Sequence, residues 1–331
     1  MFETGLAVGR SLGRAEIRVL GLDSAKKCGF YSKYIDALIC PHPLEREEEF
    51  IAFLLQIAAS EKNRPVLFIT SDDFLLPVSR NRKELERHYL MNLPDHSILE
   101  CITDKFRQHT LALEAGIPVP QTFVAANRDQ LVEIKDRVPF PAFVKGAEVT
   151  SWRKTMGDSF KGFVVHDRED LMKTFQTIFE RGSVGLVQEI IPGPDTNHFK
   201  ASCYISRDGK WKLIELNPRY WQQNALAEKC GMNFPLTDYL ELTDRDPKAV
   251  HKYRSGIKWV NIYSDIDSFR EYRQRGELSV MQWLRSLKGE KIYSDLNWDD
   301  VLPGLREILV VNVRRRSRRY LEKTLKLQSS R

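Results

Sequence analysis

Trp211 to Tyr220 reads W-K-L-I-E-L-N-P-R-Y, and the parity of its polar residues decides how the chain is read. Side chains alternate between the two faces of an extended strand, so Glu215 and Asn217, two apart, share a face, and Arg219 has the same parity. Two oxygen ligands at that separation suit a hard cation such as Mg²⁺, and the arginine suits phosphate oxygens that such a cation bridges. Leu213, Ile214 and Leu216 surround the glutamate with apolar side chains. An unpaired carboxylate is costly there, so a partner for Glu215 is expected. Pro218 ends the ladder, because it has no N–H to give.

The stretches upstream extend the pattern. L-V-Q-E-I-I-P-G, Leu186 to Gly193, is an apolar strand that ends in Gln188-Glu189-Ile190-Ile191 and breaks at Pro192-Gly193. Main-chain groups beside an acid suit an adenine edge and a ribose hydroxyl. Before it, P-A-F-V-K ends at Lys145, a loop rich in charged and small residues runs over 146–161, and a strand returns from Gly162 to Val165. Lysines over a hinged flap of this kind are a way to hold polyphosphate. T-D-K-F at 103–106 opens a helix with Asp104 or Thr103 as cap, and Gly116 stops it. G-I-P-V-P then forces an extended exit, since each proline biases the residue before it away from helix. A strand over Thr122–Ala125 and helices over Asp129–Asp136 and Asp170–Phe179 complete the region.

Toward the N-terminus, Val19–Leu22, Ala37–Cys40 and Val66–Thr70 read as short buried strands. Between them, Glu45–Ser60 places Phe50, Phe53, Leu54 and Ile57 on one helical face behind an acidic first turn, which suits the positive end of the helix dipole. This is a doubly wound α/β layer. T-G-L-A-V-G-R-S-L-G-R passes from glycine turn to helix with no strand in front of it, so either a first strand is missing or the true start lies upstream. Gly5, Gly9 and Gly13 do not have the spacing of a dinucleotide-binding loop, and helix packing is their plainer reading. T-S-D-D at 70–73 ends the third strand, where open α/β sheets place ligand groups; a solvated helix cap is the plainer role for its aspartates.

Charge and cysteine usage narrow the classes. The chain has 331 residues and a net charge of +6. Arg314 to Arg331 holds eight Lys and Arg against Glu322 alone, so this tail carries +7 and the remainder −1. The basic character therefore belongs to an appendage, and the body gives no sign of a nucleic-acid surface. Five scattered cysteines without a C-x-x-C pair argue against a disulfide framework and against a zinc site. No apolar run of membrane-spanning length and no signal peptide is found, which makes the cytoplasm the expected compartment.

T-D-K-F with G-I-P-V-P, then P-A-F-V-K, V-Q-E-I-I-P-G, E-L-N-P-R and the closing N-A-L-A-E-K-C-G-M-N-F-P-L occur in the order of the ATP-grasp superfamily. The chain resembles its D-aspartate-ligase-like branch of carboxylate-amine ligases, which has passages similar to W-V-N-I-Y-S-D-I-D-S-F. The resemblance implies an N-terminal pre-ATP-grasp domain over 1–95, a two-lobed ATP-grasp domain over 96–240 whose second lobe is shortened between Glu189 and Glu215, and a C-terminal helical accessory region over 241–331. It implies ATP and Mg²⁺ as cofactors. Lys105, Lys145 and Lys161 would contact the phosphates. Gln188, Glu189, Ile190 and Ile191 would form the adenine and ribose hinge, Glu215 and Asn217 would ligate magnesium, and Arg219 would steady the transferred phosphoryl. Lys145 and Arg219 would be the catalytic pair. In this family a carboxylate attacks the γ-phosphate and an amine then displaces phosphate from the acyl phosphate, which asks for charge neutralisation and positioning more than for an acid–base pair. The expected partners are small carboxylates and amines, such as an amino acid or a cell-envelope precursor.

A second reading follows from the shortened lobe: a catalytically silent nucleotide-binding remnant with a membrane- or partner-binding tail. In the accessory region one strand is expected within Tyr253–Tyr263, a helix over Val280–Leu287, and a turn at W-D-D-V-L-P-G-L into a basic amphipathic helix, Leu305–Leu327. Such helices lie on anionic membrane surfaces, here the inner face, although a solvated terminal helix is the plainer expectation.

Overall fold

A computed structural model of the protein describes residues 3–147, 152, 155–156, 161–191, 219–247, 250 and 252–310. The chain forms two compact units, one of Met1–His96 with Arg219–Arg331, the other Ser97–Pro218. Residues 219–240, grouped on sequence with the second domain, thus belong with the N-terminal unit, and so does the region that follows them.

In the first unit, helix α1 (Glu3–Arg14) is buried without interruption from Gly5 to Leu12. Strands β1 (Leu20–Asp23) and β2 (Asp36–Ile39) follow, paired in parallel with Leu20 opposite Asp36. The glycines of α1 serve packing. A Cβ on Gly9 would lie 2.3 Å from Ile35 Cδ1, and one on Gly13 would lie 2.7 Å from Tyr34 Cβ. Helix α2 (Glu47–Ser60) buries Phe50, Ile51 and Leu54 behind Glu47, Glu48 and Glu49. The ring of Phe50 meets Phe74 edge-on at 5.4 Å.

The expected third strand is absent. Val66–Thr70 makes a single parallel bridge, Val66 with Leu90, secured by Leu67 N–H to Leu90 O at 2.8 Å and Leu90 N–H to Pro65 O at 2.9 Å. Its main chain pairs with the stretch after helices α3 (Asp72–Arg80) and α4 (Arg82–Leu85) instead of extending the β1–β2 ladder.

The same unit takes in the later segments: α9 (Asn224–Lys229), α10 (Phe234–Leu242), a parallel pair β7 (Lys258–Val260) and β8 (Lys291–Tyr293), helices α11 (Ile262–Gln274) and α12 (Val280–Ser286), and a helical stretch at 302–310. Ser279 and Gln282 form a reciprocal capping box at the start of α12. Two arginines of α1 join the ends of the sequence. Arg10 is 3% exposed; it donates through Nε to Asp300 Oδ2 at 2.8 Å and through Nη2 to the carbonyls of Asp295 and Asp300 at 2.8 and 2.7 Å. Arg14 grips Asp299 side-on at 2.8 and 3.0 Å. Ser32 and Tyr34 donate to the same two aspartates. A buried charge needs such a full set of partners, or its desolvation is uncompensated.

The second unit begins within α5 (His96–Thr103), whose end runs directly into α6 (Lys105–Glu114). Asp104 separates the two by capping the N–H groups of Phe106 and Arg107, both at 2.9 Å. Strands β3 (Thr122–Ala125), β4 (Ala142–Gly146), β5 (Phe163–Val165) and β6 (Gly185–Glu189) form one antiparallel sheet in the order β3-β6-β4-β5. Helices α7 (Arg128–Ile134) and α8 (Arg168–Glu180) contribute Leu131, Leu171, Phe175 and Ile178 to a core with Ala142, Val144 and Val187 from the sheet. Trp152 is buried in that core, 6.4 Å from Phe163. Cys28, Cys40, Cys101 and Cys230 are all free thiols. Among the described residues no helix is long and apolar enough to cross a membrane.

Candidate functional site

Register settles which side chains of the second unit face away from its core. Val144 lies opposite Val187 and faces the core, so Lys145, one residue on, points to the other side. Gln188 is opposite both Phe143 and Thr122, which places Lys145, Gln188 and Thr122 on one face. Their polar atoms are joined: Lys145 Nζ donates to Gln188 Oε1 at 3.1 Å, and Gln188 Nε2 donates to Thr122 Oγ1 at 3.0 Å. The amide is thereby fixed in one orientation, and it steers the ammonium through a neutral acceptor. Thr122 is missing from the residues picked out in the sequence. Only the register reveals it, because it stands far from Lys145 in sequence.

Glu189 belongs to the opposite face, across from Ala142. It binds the neighbouring strand twice: its N–H donates to Gln121 O at 2.8 Å and its Oε2 accepts from Gln121 N–H at 2.9 Å. Beyond it, Ile190 N–H reaches Pro141 O at 3.4 Å, and Ile191 is exposed. The hinge residues thus sit where the sheet ends, with Gln188 and Glu189 turned to different sides. Lys161 is exposed, two residues before β5. Lys105 is the first residue of α6, just after the Asp104 cap. Its side chain, like Glu215 and Asn217, lies outside the described residues. Among the described residues no group of three His, Cys, Asp or Glu could hold a metal ion.

Arg219 is in the first unit. Its Nε and Nη2 donate to the two carboxylate oxygens of Asp72 at 2.5 and 3.0 Å, and its Nη1 donates to Tyr220 O at 3.1 Å. A guanidinium has five N–H groups, so these three bonds leave two for another acceptor. Asp72 is the first residue of α3, where an acid also complements the helix dipole. The aspartate of T-S-D-D is therefore the partner of the arginine of E-L-N-P-R. Tyr220 bonds Asp238, and burial together with that carboxylate pushes its phenol well up from its ordinary value. Trp221 packs on Phe234 at 5.2 Å.

Further titration effects lie in the clasp around α1. The hydrogen bond from Arg14 holds the Asp299 carboxyl at about 2, outweighing burial, with help from Tyr34. Glu228, which also touches Arg14 at 3.2 Å, is pushed up by burial. Burial raises the Cys28 thiol to about 12, which makes it a poor nucleophile.

No protein-family model matches the chain. Over 195 residues it is 25% identical to a D-aspartate ligase of Enterococcus faecium (strain Aus0004), a match that takes in 56% of this chain and 46% of that ligase. The chain resembles an ATP-grasp ligase of the D-aspartate kind. It spans less than half the length of that relative. Among solved structures it is similar to an N5-carboxyaminoimidazole ribonucleotide synthetase from Thermus thermophilus, at 17% identity and a TM-score of 0.42 over 58% of this chain and 45% of that one. It is also similar to an L-amino acid ligase from Bacillus licheniformis, at 14% identity and a TM-score of 0.43 over 58% and 43%.

Proposed function

We propose that the protein is an ATP-dependent, ADP-forming carboxylate–amine ligase whose phosphate-facing group is Lys145. The observation that carries this reading is the joined row Lys145–Gln188–Thr122 on the sheet face turned away from the core, in a chain similar to a D-aspartate ligase. Bound ATP supplies the phosphoryl group that activates a carboxylate. The chain's own part is to hold and neutralise. Lys145 offers its amino group to phosphate oxygens while Gln188 keeps it aligned, and Lys105 and Lys161 bring further positive charge. The main chain at Ile190 and Ile191 meets the base, with Glu189 at the ribose. Arg219, whose carboxylate partner is Asp72, is the residue proposed to steady the transferred phosphoryl. Glu215 and Asn217 are the proposed magnesium ligands. A site of action in the cytoplasm belongs to the same reading.

The test starts from the purified protein with MgATP. A rise in thermal midpoint and release of ADP on adding D-aspartate with amino-acid or short-peptide acceptors are expected. MgATP stabilisation without ADP release in any mixture would favour the silent nucleotide-binding remnant. No stabilisation at all would overturn both readings.

A further inference from the structure

The stretch after β8 shows an inverted pattern. In the helix at 302–310 the sides of Pro303 and Gly304 are buried; a Cβ on Gly304 would fall 2.8 Å from Leu296 Cα. Arg306 lies over the Tyr31 ring at 5.3 Å. The opposite side, which faces water, is apolar: Leu302, Leu305 and Leu309 are 59%, 49% and 66% exposed. Their spacing of three and four residues makes one stripe along the helix. Just before it, Asn297 and Asp300 are bridged across a tight turn, with Trp298 near its tip at 94% exposure. This exposure is enforced by the fold. The next two residues, Asp299 and Asp300, are clamped by Arg14 and Arg10, so the backbone under the indole is fixed and the two acidic charges are already matched.

We propose that Trp298, Leu302, Leu305 and Leu309 form a docking surface for an anionic lipid bilayer. Among apolar occupants a membrane is favoured by charge. The sequence continues from the stripe into Arg314–Arg331, which carries +7 while the rest of the chain sums to −1. An exposed indole on a tied backbone beside a leucine stripe, followed at once by a cationic run, matches the two terms of interfacial binding, burial of apolar side chains at the headgroup boundary and attraction to anionic lipid. This surface does not depend on the ligase reading, and its test needs no turnover.

The full chain is mixed with vesicles of phosphatidylcholine containing phosphatidylglycerol, and with vesicles of phosphatidylcholine alone, and bound protein is separated by flotation. Binding to the anionic vesicles, weakened by salt, is expected, with a blue shift of tryptophan emission that Trp298→Phe removes. Joint replacement Leu302→Gln, Leu305→Gln and Leu309→Gln is expected to lower partition about tenfold or more. The corresponding Met replacements keep the binding, and thermal midpoints confirm folding of each variant. Three results would overturn the proposal: no binding of the parent chain to anionic vesicles; Gln variants that bind as well as the parent, leaving the tail alone responsible; or a concentration-dependent dimer broken by the Gln variants without vesicle binding, which would make a second copy the occupant.

Discussion

Removing the amino group of Lys145 while keeping an apolar chain, as Lys145→Met does, is expected to weaken MgATP binding about tenfold or more, since a charge-assisted hydrogen bond is worth roughly 1.5–3 kcal/mol. Calorimetric titration measures it, and unchanged affinity would remove Lys145 from the site. Asp72→Asn is expected to cost no more than about 1 kcal/mol of stability, because its partner Arg219 is held by an exposed carboxylate and such pairs are weak; a urea melt decides this. For Asp299 the sign follows from its depressed value. A carboxyl whose folded value lies below its ordinary one stabilises the fold above the ordinary value and loses that contribution as pH falls through the folded value. The loss therefore runs from 3.8 down to about 2. Glu228, raised by burial, acts with the opposite sign. Urea midpoints over that range are expected to fall less steeply for Asp299→Asn than for the parent; equal slopes would refute the coupling. At this scale motif order picks out Lys145 and Gln188, which the structure joins by a hydrogen bond. It does not pick out Thr122 or the pairing of Asp72 with Arg219, which depend on a cross-strand register and on a contact spanning 147 positions.

Elements with strong local signals formed where their residues asked for them. Alternation and bounding turns place β3 and β4 within a residue of expectation, Asp104 caps α6, and a left-handed Gly116, at φ +69°, follows that helix. Elements whose identity depends on a neighbour were harder to read. Val66–Thr70 has the apolar run of a strand, yet backbone pairing, which no run of side chains encodes, reduces it to one bridge. Helix α5 has no boundary of its own in the sequence, because its residues sit directly against the cap of the next helix. The packing of α1 gives a sharp forecast at Gly13, where an added methyl meets the first carbon of Tyr34, an atom tied to the backbone. Gly13→Ala is expected to cost about 1–3 kcal/mol by overpacking, measured by denaturant unfolding. An unchanged midpoint would show that α1 can shift away from Tyr34.

Across the whole molecule the decisive contacts join the ends of the sequence, and composition carries no trace of them. The region from Glu241 onward reads as an accessory in sequence, whereas in the fold it supplies Asp295, Asp299 and Asp300 to the arginines of α1. Asp300→Ala leaves Arg10 buried without its counter-charge, and a loss of about 3–5 kcal/mol is expected. Equilibrium unfolding measures it, and a loss under about 1 kcal/mol would mean that the carbonyls of Asp295 and residue 300 suffice. The clasp also orders events during synthesis. Arg10 leaves the ribosome 290 residues ahead of Asp300, and domains otherwise fold as they emerge, N-terminal first. Here a helix made early is completed late: the sheet holding Lys145 is already translated while α1 still lacks its aspartate.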